Sequence, residues 1–441
     1  MPRLTLRTLF IGCAALGCSA GGRTETGTGG ITRTVSVANC SQGQAGLTLP
    51  DGFCATIFAD KLGAVRHMVV APNGDLFVNM QRARRTSPLA AIAPSQVALR
   101  DTNGDGIADE TRRFGEAGGT GIALFDGFLY ADVGTAIVRY RVTPGQLQTW
   151  GAPDTVVTGL PGDPGHTARN FVIGPSGTMF VNIGSATNAC QEKDRTAGSR
   201  GAEGCPELRT RAGLWRFAAN GSKQTPSLEN RYATGMRNTV AMAIEPGTGR
   251  LFATPHGRDQ LAGNWPALFT DAQNAEIPAE ELLDVSAGDD FGWPFCYYDS
   301  KTATRLLAPE YGGDGKTVGR CAAFKRPLYG FPAHWAPNAM MFYEGTHFPA
   351  RYRQGVFVAF HGSWNRAPLP QQGFKVVFMP FNNGRPAANF ETFADGFAGP
   401  TIPATGAPHR PTGLAQGPDG ALFISDDAGG RIWRVTYRGS R

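Results

Sequence analysis

A histidine in a constrained loop is the residue of this sequence best suited to acid–base chemistry. His166 lies within residues 161–170, where two prolines and two glycines indicate a tight loop just before the apolar, strand-like residues 171–173. A neutral imidazole, with an ordinary pKa of about 6.5, can accept a proton from a substrate hydroxyl at neutral pH. Because a single loop histidine is more often an ordinary surface residue, the hypothesis depends on the rest of the chain.

Other clusters of His, Arg and Asn lie at comparable positions beside apolar runs. If these loops converge, several guanidinium groups with imidazole and amide groups would form a cationic pocket. Bidentate donors of this kind suit a ligand that carries several carboxylates. The clusters are residues 235–238, 255–259, 360–366 and 408–413, and Arg66 stands before the first apolar repeat.

A repeating strand–turn–strand pattern must position these loops. Each copy has an apolar run, a turn centred on glycine and a second run that begins with an apolar–aromatic pair. Six copies, the first three spaced by about 50 residues, predict an all-β protein, a six-bladed β-propeller with inserted loops in the later blades. A β-sandwich or a pair of barrels is the alternative. The clear copies are residues 67–78, 122–131, 172–181, 242–253 and 414–424, and a weaker copy covers residues 341–359.

Composition agrees with short strands joined by turns. The chain has 441 residues, of which 59 are Gly and only 18% are charged. The formal net charge is +6. Since the sequence has no block of Lys and Arg, this charge does not indicate a nucleic-acid partner.

The first residues predict export. Residues 1–7 are basic and residues 8–18 are uncharged and mostly apolar, which is typical of a signal peptide over residues 1–18. Residues 14–18 are similar to a lipoprotein signal in which Cys18 becomes lipidated, with plain secretion as the alternative. Residues 19–34 are predicted to form a flexible Gly/Thr-rich tether, and residues 35–441 a single propeller domain. We therefore expect a periplasmic or extracellular protein that meets the membrane only through a lipid anchor.

The remaining six cysteines also fit an oxidising compartment. They form neighbouring pairs without the spacing of a zinc site, so structural disulfides are favoured. Six cysteines allow 15 pairings, of which the local one is preferred. The local pairs are Cys40 with Cys54, Cys190 with Cys205, and Cys296 with Cys321.

The combined motifs resemble the pyrroloquinoline quinone (PQQ) dependent glucose/sorbosone dehydrogenase family, on its L-sorbosone dehydrogenase-like side. The resemblance extends from about residue 49 to residue 437. It implies a propeller that binds PQQ and Ca²⁺ at the channel mouth, oxidises an aldose or sorbosone-like sugar, and passes electrons to a cytochrome or quinone. The segments that carry it are the His166 loop and residues 236–238, 290–298, 361–366 and 409–413.

The same resemblance implies roles for individual residues. His166 would be the general base, and Arg237 would stabilise negative charge on the quinone oxygens. The backbone carbonyls of Gly257 and Arg258 would bind the calcium ion, which would polarise the quinone. The candidates for cofactor binding are Arg66, Asn238, His256, Asp259, His361, Arg366 and Arg410, with Lys375 a weaker one.

Two departures from the family pattern bear on the substrate. Soluble glucose dehydrogenases of this superfamily carry a Lys near the place where this chain has residues 361–364, and a Pro where it has Arg258. Both differences favour a sorbosone-like or other aldose over glucose.

A second metal signal lies far from His166. Residues 101–110 resemble the first part of an EF-hand loop, but Arg112 stands where the bidentate Glu belongs. A hairpin turn without an ion is the alternative. The candidate ligands are Asp101, Asn103, Asp105, the carbonyl of Ile107, and Asp109.

Two other functions remain open at this point. A propeller lactonase would need a cluster of Glu, Asp and Asn ligands facing the channel, whereas the loops hold mainly Arg and His. A surface-displayed binding propeller would need no chemistry at all. Residues 277–284 further predict a short helix over the channel mouth, with nearby Trp and Tyr residues either lining a sugar or packing between blades.

Overall fold

The computed structural model describes residue 40 and residues 43–148, 151–402 and 406–439. The predicted signal peptide, the lipidation at Cys18 and the tether lie outside the described residues. In the part of the chain that the structure describes, no helix is both long and apolar enough to cross a membrane.

Short strands make up nearly all the regular structure of these residues. Two α-helices, α1 (Leu261–Asn264) and α2 (Asp271–Glu276), lie between the second and third strands of the fourth blade. The strands are β1 Phe53–Ala59, β2 Ala64–Val70, β3 Leu76–Gln81, β4 Ser95–Arg100, β5 Glu110–Phe114, β6 Ile122–Phe125, β7 Phe128–Asp132, β8 Ile137–Arg141, β9 Asp154–Val157, β10 Phe171–Ile173, β11 Thr178–Ile183, β12 Gly213–Ala218, β13 Arg231–Thr234, β14 Ala241–Ile244, β15 Leu251–Thr254, β16 Glu280–Val285, β17 Cys296–Asp299, β18 Thr304–Leu307, β19 Tyr329–Phe331, β20 Pro337–Phe342, β21 Gly355–Phe360, β22 Lys375–Asn382, β23 Arg385–Pro386, β24 Glu391–Ala394, β25 Pro411–Gln416, β26 Leu422–Asp426 and β27 Ile432–Tyr437.

Six antiparallel sheets form a six-bladed β-propeller, which confirms the predicted fold. Blades one to three are β2 to β5, β6 to β9 and β10 to β13 in chain order. Blade four is β14-β15-β16-β19 with the hairpin β17-β18 inserted, and blade five is β20-β21-β22 with β23 and β24 both paired to β22. Blade six is β25-β26-β27 completed by β1.

The sequence repeat marks the first two strands of every blade. In the clear copies the turn is closed by a glycine with positive φ, between 69° and 93°. An L side chain rarely adopts this conformation, so glycine at the turn is a backbone requirement. The turn glycines are Gly74, Gly127, Gly177, Gly249 and Gly420.

The ring closes by pairing the two ends of the propeller. Strand β1 forms the outer edge of blade six through antiparallel pairing with β27, in register from Phe53 with Tyr437. Phe53 is 1% exposed and its ring packs edge to face against Phe348, Tyr352 and Phe393 of blade five. The first strand therefore joins two neighbouring blades as well as the chain termini.

Buried polar side chains at the ends of the second strands tie blades one, three and six to the blade that follows. A buried amide or hydroxyl without a partner is costly, so these bonds favour one arrangement of neighbouring blades. The bonds are Asn79 Nδ2 to the carbonyl of Gly121 at 2.8 Å, the N–H of Thr239 to Asn182 Oδ1 at 3.0 Å, and Ser425 Oγ to the carbonyl of Arg66 at 2.5 Å.

Antiparallel order places two classes of loop at the same end of the ring. Because strands alternate in direction, the loop after each second strand lies at the end where the chain enters the next blade. We call this the site end; it carries the entry segments 158–170, 235–240, 395–402 and 406–410 and the loops 184–212, 255–279 and 361–374. Residues 101–109 connect the third and fourth strands of blade one, so they lie at the opposite end.

All three predicted disulfides are present. Cys40 pairs with Cys54, Cys190 with Cys205, and Cys296 with Cys321.

The helix predicted over residues 277–284 is wrong. The segment contains β16, which pairs with β15 as the third strand of blade four. Its local sequence favours a helix, but pairing with a distant strand decides its conformation. The nearby aromatic residues Trp293, Tyr297 and Trp335 are at most 8% exposed, so they pack between elements.

Replacing Phe53 tests the ring closure. Phe53→Ala is expected to lower the free energy of unfolding by about 3–5 kcal/mol, because a buried ring that joins two blades is lost. Denaturant unfolding followed by circular dichroism measures the change. Leu228→Ala, which shortens a side chain that is 54% exposed, should change it by less than about 0.5 kcal/mol. Equal stability of the two variants would contradict the closure.

Candidate functional site

Two arginine side chains hold the His166 loop by hydrogen bonds to its backbone carbonyls. Arg169 is fully buried and donates to the carbonyl of His166 at 2.8 Å and to that of Pro161. Arg211 donates to the carbonyl of Gly162 at 2.7 Å. These bonds satisfy loop carbonyls that would otherwise be unpaired, so the backbone around His166 is fixed.

The imidazole of His166 has a defined tautomer. Its Nδ1 lies 2.9 Å from the carbonyl oxygen of Ser185 and 3.0 Å from Ser185 Oγ. The Ser185 hydroxyl gives its own proton to the carbonyl of Thr187 at 2.6 Å, so both Ser185 oxygens act as acceptors for His166. The proton is therefore on Nδ1. Among the described residues none bonds to Nε2, which keeps its lone pair.

A carboxylate that sequence reasoning missed supports this arrangement. Glu207 accepts from the N–H of Ala186 at 2.5 Å and from the hydroxyl of Thr187. Both donors flank the Ser185 contact, so Glu207 holds the segment that orients His166. The residue follows Cys205, whose disulfide fixes the start of the same short turn. No sequence pattern identifies this role, because it depends on contacts between separate loops.

Burial keeps the imidazole neutral. Burial, followed by the positive charge of Arg237, lowers the pKa of His166 to about 3. The ring is thus unprotonated at neutral pH.

Arg237 is anchored beside this imidazole. The guanidinium is buried and donates to Asp259 at 2.8 Å, to the carbonyl of Gly257 at 3.0 Å and to that of Asn188 at 3.2 Å. Burial alone would raise the pKa of Asp259, but Arg237, His334 and Arg195 together outweigh it and the pKa is lowered. The pair is therefore ionised, and Arg237 has a fixed position.

Gly257 and Arg258 face different environments. The N–H of Gly257 donates to the buried carboxyl of Glu280 at 2.8 Å, and its carbonyl accepts from Arg237. The side chain of Arg258 pairs with buried Glu310 at 2.5 Å. The calcium role predicted for Arg258 concerns its backbone carbonyl, and the pairing of its side chain with Glu310 leaves that prediction open.

A second cluster forms around Asp427, which sequence reasoning also missed. Its carboxylate lies 2.7 Å from Arg66 Nη1 and 2.7 Å from His361 Nε2. Arg410 donates to the carbonyl of His361 at 2.9 Å and to that of Gly362. Burial would raise the pKa of Asp427, but His361, with Arg66, lowers it well below its usual range. Burial, then Arg410, lowers the pKa of His361 to about 4.

The groups around Asp427 line one cavity of about 560 Å³ at the site end. His166 and Arg237 are not among its lining residues. Gly184 lies between His166 and Asn238, a residue of the lining, since a Cβ at Gly184 would meet the Cβ of His166 at 2.6 Å and Asn238 Oδ1 at 2.9 Å. The close approach requires glycine. Arg84, which the sequence did not single out, also borders the cavity, and no ion pair of Arg84 is found among the described residues. The charged and polar residues of the lining include Arg66, Arg84, Asn238, His256, His361, Arg410 and Asp427.

Other predicted residues lie away from this cavity. The guanidinium of Arg366 contacts the end of α2, through the carbonyl of Ala275 and Glu276, and the carbonyl of Pro370. Lys375 pairs with Asp395 at 2.8 Å.

The predicted calcium loop is at the opposite end of the ring. There the carboxylate of Asp101 accepts from the N–H groups of Gly104 and Gly106, and that of Asp109 accepts from Thr102. Calcium binding by this loop stays a prediction.

The chain matches known proteins along most of its length. A family model described as TrAA12-like matches residues 47–438. A Borreliella burgdorferi protein described as uncharacterized is 30% identical over 212 residues, 47% of this chain and 49% of that protein. The pyrroloquinoline quinone-dependent pyranose dehydrogenase of Coprinopsis cinerea is 25% identical over 242 residues, 46% of this chain and 30% of the relative. The chain thus spans half or less of the length of these curated relatives.

Solved structures share the fold at low sequence identity. A Trichoderma reesei protein of carbohydrate-active enzyme family AA12 has a TM-score of 0.72 and 18% identity, with 91% of this chain and 100% of that chain covered. The holo form of the PQQ domain of the Coprinopsis cinerea pyranose dehydrogenase has a TM-score of 0.70 and 19% identity, with 88% and 97% covered. Since the family model covers nearly all of the propeller, the chain belongs to the TrAA12-like family.

Proposed function

We propose that the protein is an exported oxidoreductase that oxidises an aldose or sorbosone-like sugar with PQQ and calcium. The observation that carries the proposal is a neutral imidazole with a free Nε2 beside a cationic cavity. The named activity of the Coprinopsis cinerea relative supports the same reaction class. The disulfides suit an oxidising location, either periplasmic or extracellular. The electron acceptor would be a cytochrome or a quinone.

The cavity residues fit an anionic cofactor with several carboxylates. Three guanidinium groups, of Arg66, Arg84 and Arg410, border the cavity, whereas Asp427 is the one carboxylate among its described lining residues. Arg66 and Arg410 are held in place by bonds to Asp427 and to the His361 carbonyl, so their order is present before a ligand binds. When bound, PQQ would supply a quinone that accepts two electrons.

Calcium would have few protein ligands at the predicted place. The carbonyls of Gly257 and Arg258 are hard oxygen donors of the type that Ca²⁺ prefers, but the ion takes about six to eight oxygen ligands. The Gly257 carbonyl already accepts from Arg237, and the nearby carboxylate of Asp259 is paired with the same guanidinium. Neither Gly257 nor Arg258 is among the described residues that line the cavity, so the two carbonyls alone would not complete a calcium site.

His166 would remove the proton from the sugar hydroxyl that is oxidised. Nε2 accepts the proton, and the resulting imidazolium keeps its Nδ1–H bond to the carbonyl of Ser185. The charge of Arg237 opposes this step, because it lowers the pKa of His166. An anion bound in the cavity offsets that charge, so ligand binding would raise the basicity of His166.

The described residues offer no support for a hydrolase that uses a carboxylate-bound metal. Within them, the one group of His, Cys, Asp and Glu side chains close enough to share an ion is Cys190, Cys205 and Glu207. Two of its members form a disulfide. A binding propeller without activity would not need the oriented imidazole of His166.

Replacing His166 tests its role as the base. In protein reconstituted with PQQ and Ca²⁺, His166→Asn is expected to lower kcat at least about 100-fold, because no other group would take the hydroxyl proton. Sugar-dependent dye reduction measures turnover, and equilibrium dialysis measures retained PQQ. His347→Asn is the control, since His347 bonds to the N–H of Tyr437 at the opposite end of the ring. Full turnover of His166→Asn would contradict the proposed role.

The lowered pKa of His166 predicts an unusual titration of the imidazole in protein without PQQ. A base with a pKa of about 3 is unprotonated above that value, so in the apoprotein the ring should take up a proton only as the pH approaches 3. NMR titration of the histidine ring protons measures this, and His166→Asn assigns the signal. A midpoint at the ordinary value of about 6.5 in the apoprotein would contradict the prediction. Circular dichroism at each pH is needed, because buried neutral histidines gain protons on unfolding and make the fold less stable below about pH 6.5.

Replacing Arg84 tests cofactor binding in the cavity. Arg84→Ala is expected to weaken PQQ binding by about 10- to 100-fold, since a charge-assisted bond is worth about 1.5–3 kcal/mol. Fluorescence titration with PQQ measures the affinity. Arg112→Ala should leave it unchanged, because Arg112 is 49% exposed and pairs with Glu110 in blade one, away from the site end. Equal affinities would place the cofactor elsewhere.

A further inference from the structure

One tryptophan at the site end points outward from a locked loop. Trp364 is 54% exposed, whereas its neighbours Ser363, Asn365 and Arg366 are all buried. It is the one aromatic residue among the exposed large hydrophobic side chains of the described chain. Exposure of an indole ring to water is unfavourable in free energy, so the backbone around Trp364 must keep the ring at the surface.

The backbone on both sides of Trp364 is fixed by hydrogen bonds. Ser363 Oγ donates to Gln371 at 2.7 Å and accepts from the N–H of Gln372 at 2.8 Å. On the other side, Asn274 of α2 donates to the carbonyl of Asn365 at 3.0 Å. Arg366 adds its contacts with the end of α2. These contacts fix the backbone from which the Trp364 side chain extends.

The same loop brings Trp364 close to the cavity. His361, three residues earlier, lines the cavity, and three residues span at most about 11 Å. The guanidinium of Arg195 lies 6.0 Å from the indole ring centroid. Arg195 also bonds to Asp259 at 3.3 Å, the carboxylate that holds Arg237. The indole therefore stands beside the network that borders the proposed base.

Indole and guanidinium together have the chemistry of a sugar-binding surface. An aromatic ring offers a flat apolar face to the C–H groups of a pyranose, and a guanidinium offers N–H donors to its hydroxyls. One face of the indole is near Arg195, which leaves the other for a ligand.

We propose that Trp364 and Arg195 form a subsite for a second pyranose unit, next to the one that is oxidised. The substrate class would then be oligosaccharides, which are bound at the cavity by one unit and on the indole by the next. This inference rests on the proposed function, and it names the substrate class of the same site.

The kinetic test compares two equally exposed residues. In protein reconstituted with PQQ and Ca²⁺, kcat/KM is measured for glucose, cellobiose and maltose. Trp364→Ala should lower the ratio of disaccharide to glucose by about three- to tenfold through KM, and Trp364→Phe should retain most of it. Leu228→Ala, also 54% exposed but on a loop at the opposite end, should leave the ratio unchanged. An unchanged ratio in Trp364→Ala, or a change only in the KM for the electron acceptor, would overturn the subsite.

A binding test on the apoprotein separates the two proposals. Cellobiose or maltose should protect the exposed indole from acrylamide quenching in the wild type, and this protection should disappear in Trp364→Ala. Protection without any sugar-dependent reduction of PQQ would support the subsite and refute the redox function. Turnover without protection by either disaccharide would refute the subsite and leave the redox function intact.

Discussion

Closure of the ring is the constraint on which the site depends. Strand β1 completes blade six, and buried polar residues such as Asn79 and Asn182 bond to the backbone that enters the next blade. The chain is thereby held at the entries to blades two and four, and Ser425 holds it in the same way at the start of blade one. Arg66 and Asp427 are 361 residues apart in the chain, yet their side chains form an ion pair only because blade six meets blade one. The cationic cavity is thus a product of closure, and it has no local counterpart in the sequence.

Charge in and around this cavity is arranged by the protein's own side chains. Asp259 and Asp427 hold Arg237 and Arg66, and burial with nearby guanidinium groups lowers the pKa of His166, His256 and His361. Three buried imidazolium ions beside these guanidinium groups would destabilise the folded protein more than three neutral imidazoles do. The same arrangement leaves an excess of positive charge that an anionic ligand can offset. Ligand charge and imidazole basicity are therefore coupled through Arg237.

The hairpin pattern in the sequence predicted the blades, whereas contacts between distant segments determine the details of the site. The turn glycines and aromatic pairs mark the first two strands because hairpins form from neighbouring residues. Strand β16 escaped prediction, since its pairing with β15 spans the helices of an inserted loop. Arg66, His361 and Arg410 were predicted together because each stands beside a hairpin. Ser185, Glu207 and Asp427 were missed because their roles arise only from partners in distant segments.

Arg366 shows what residue type alone cannot settle. An arginine in the cluster 360–366 suits a carboxylate, yet its guanidinium is taken up by carbonyl and carboxyl groups at the end of α2. The contact fixes the loop that carries both His361 and Trp364. His361 lines the cavity, whereas Trp364 is exposed to solvent. Cavity-side and solvent-side residues thus share one segment held by hydrogen bonds. A substitution that loosens the Arg366 contacts would therefore disturb both surfaces together.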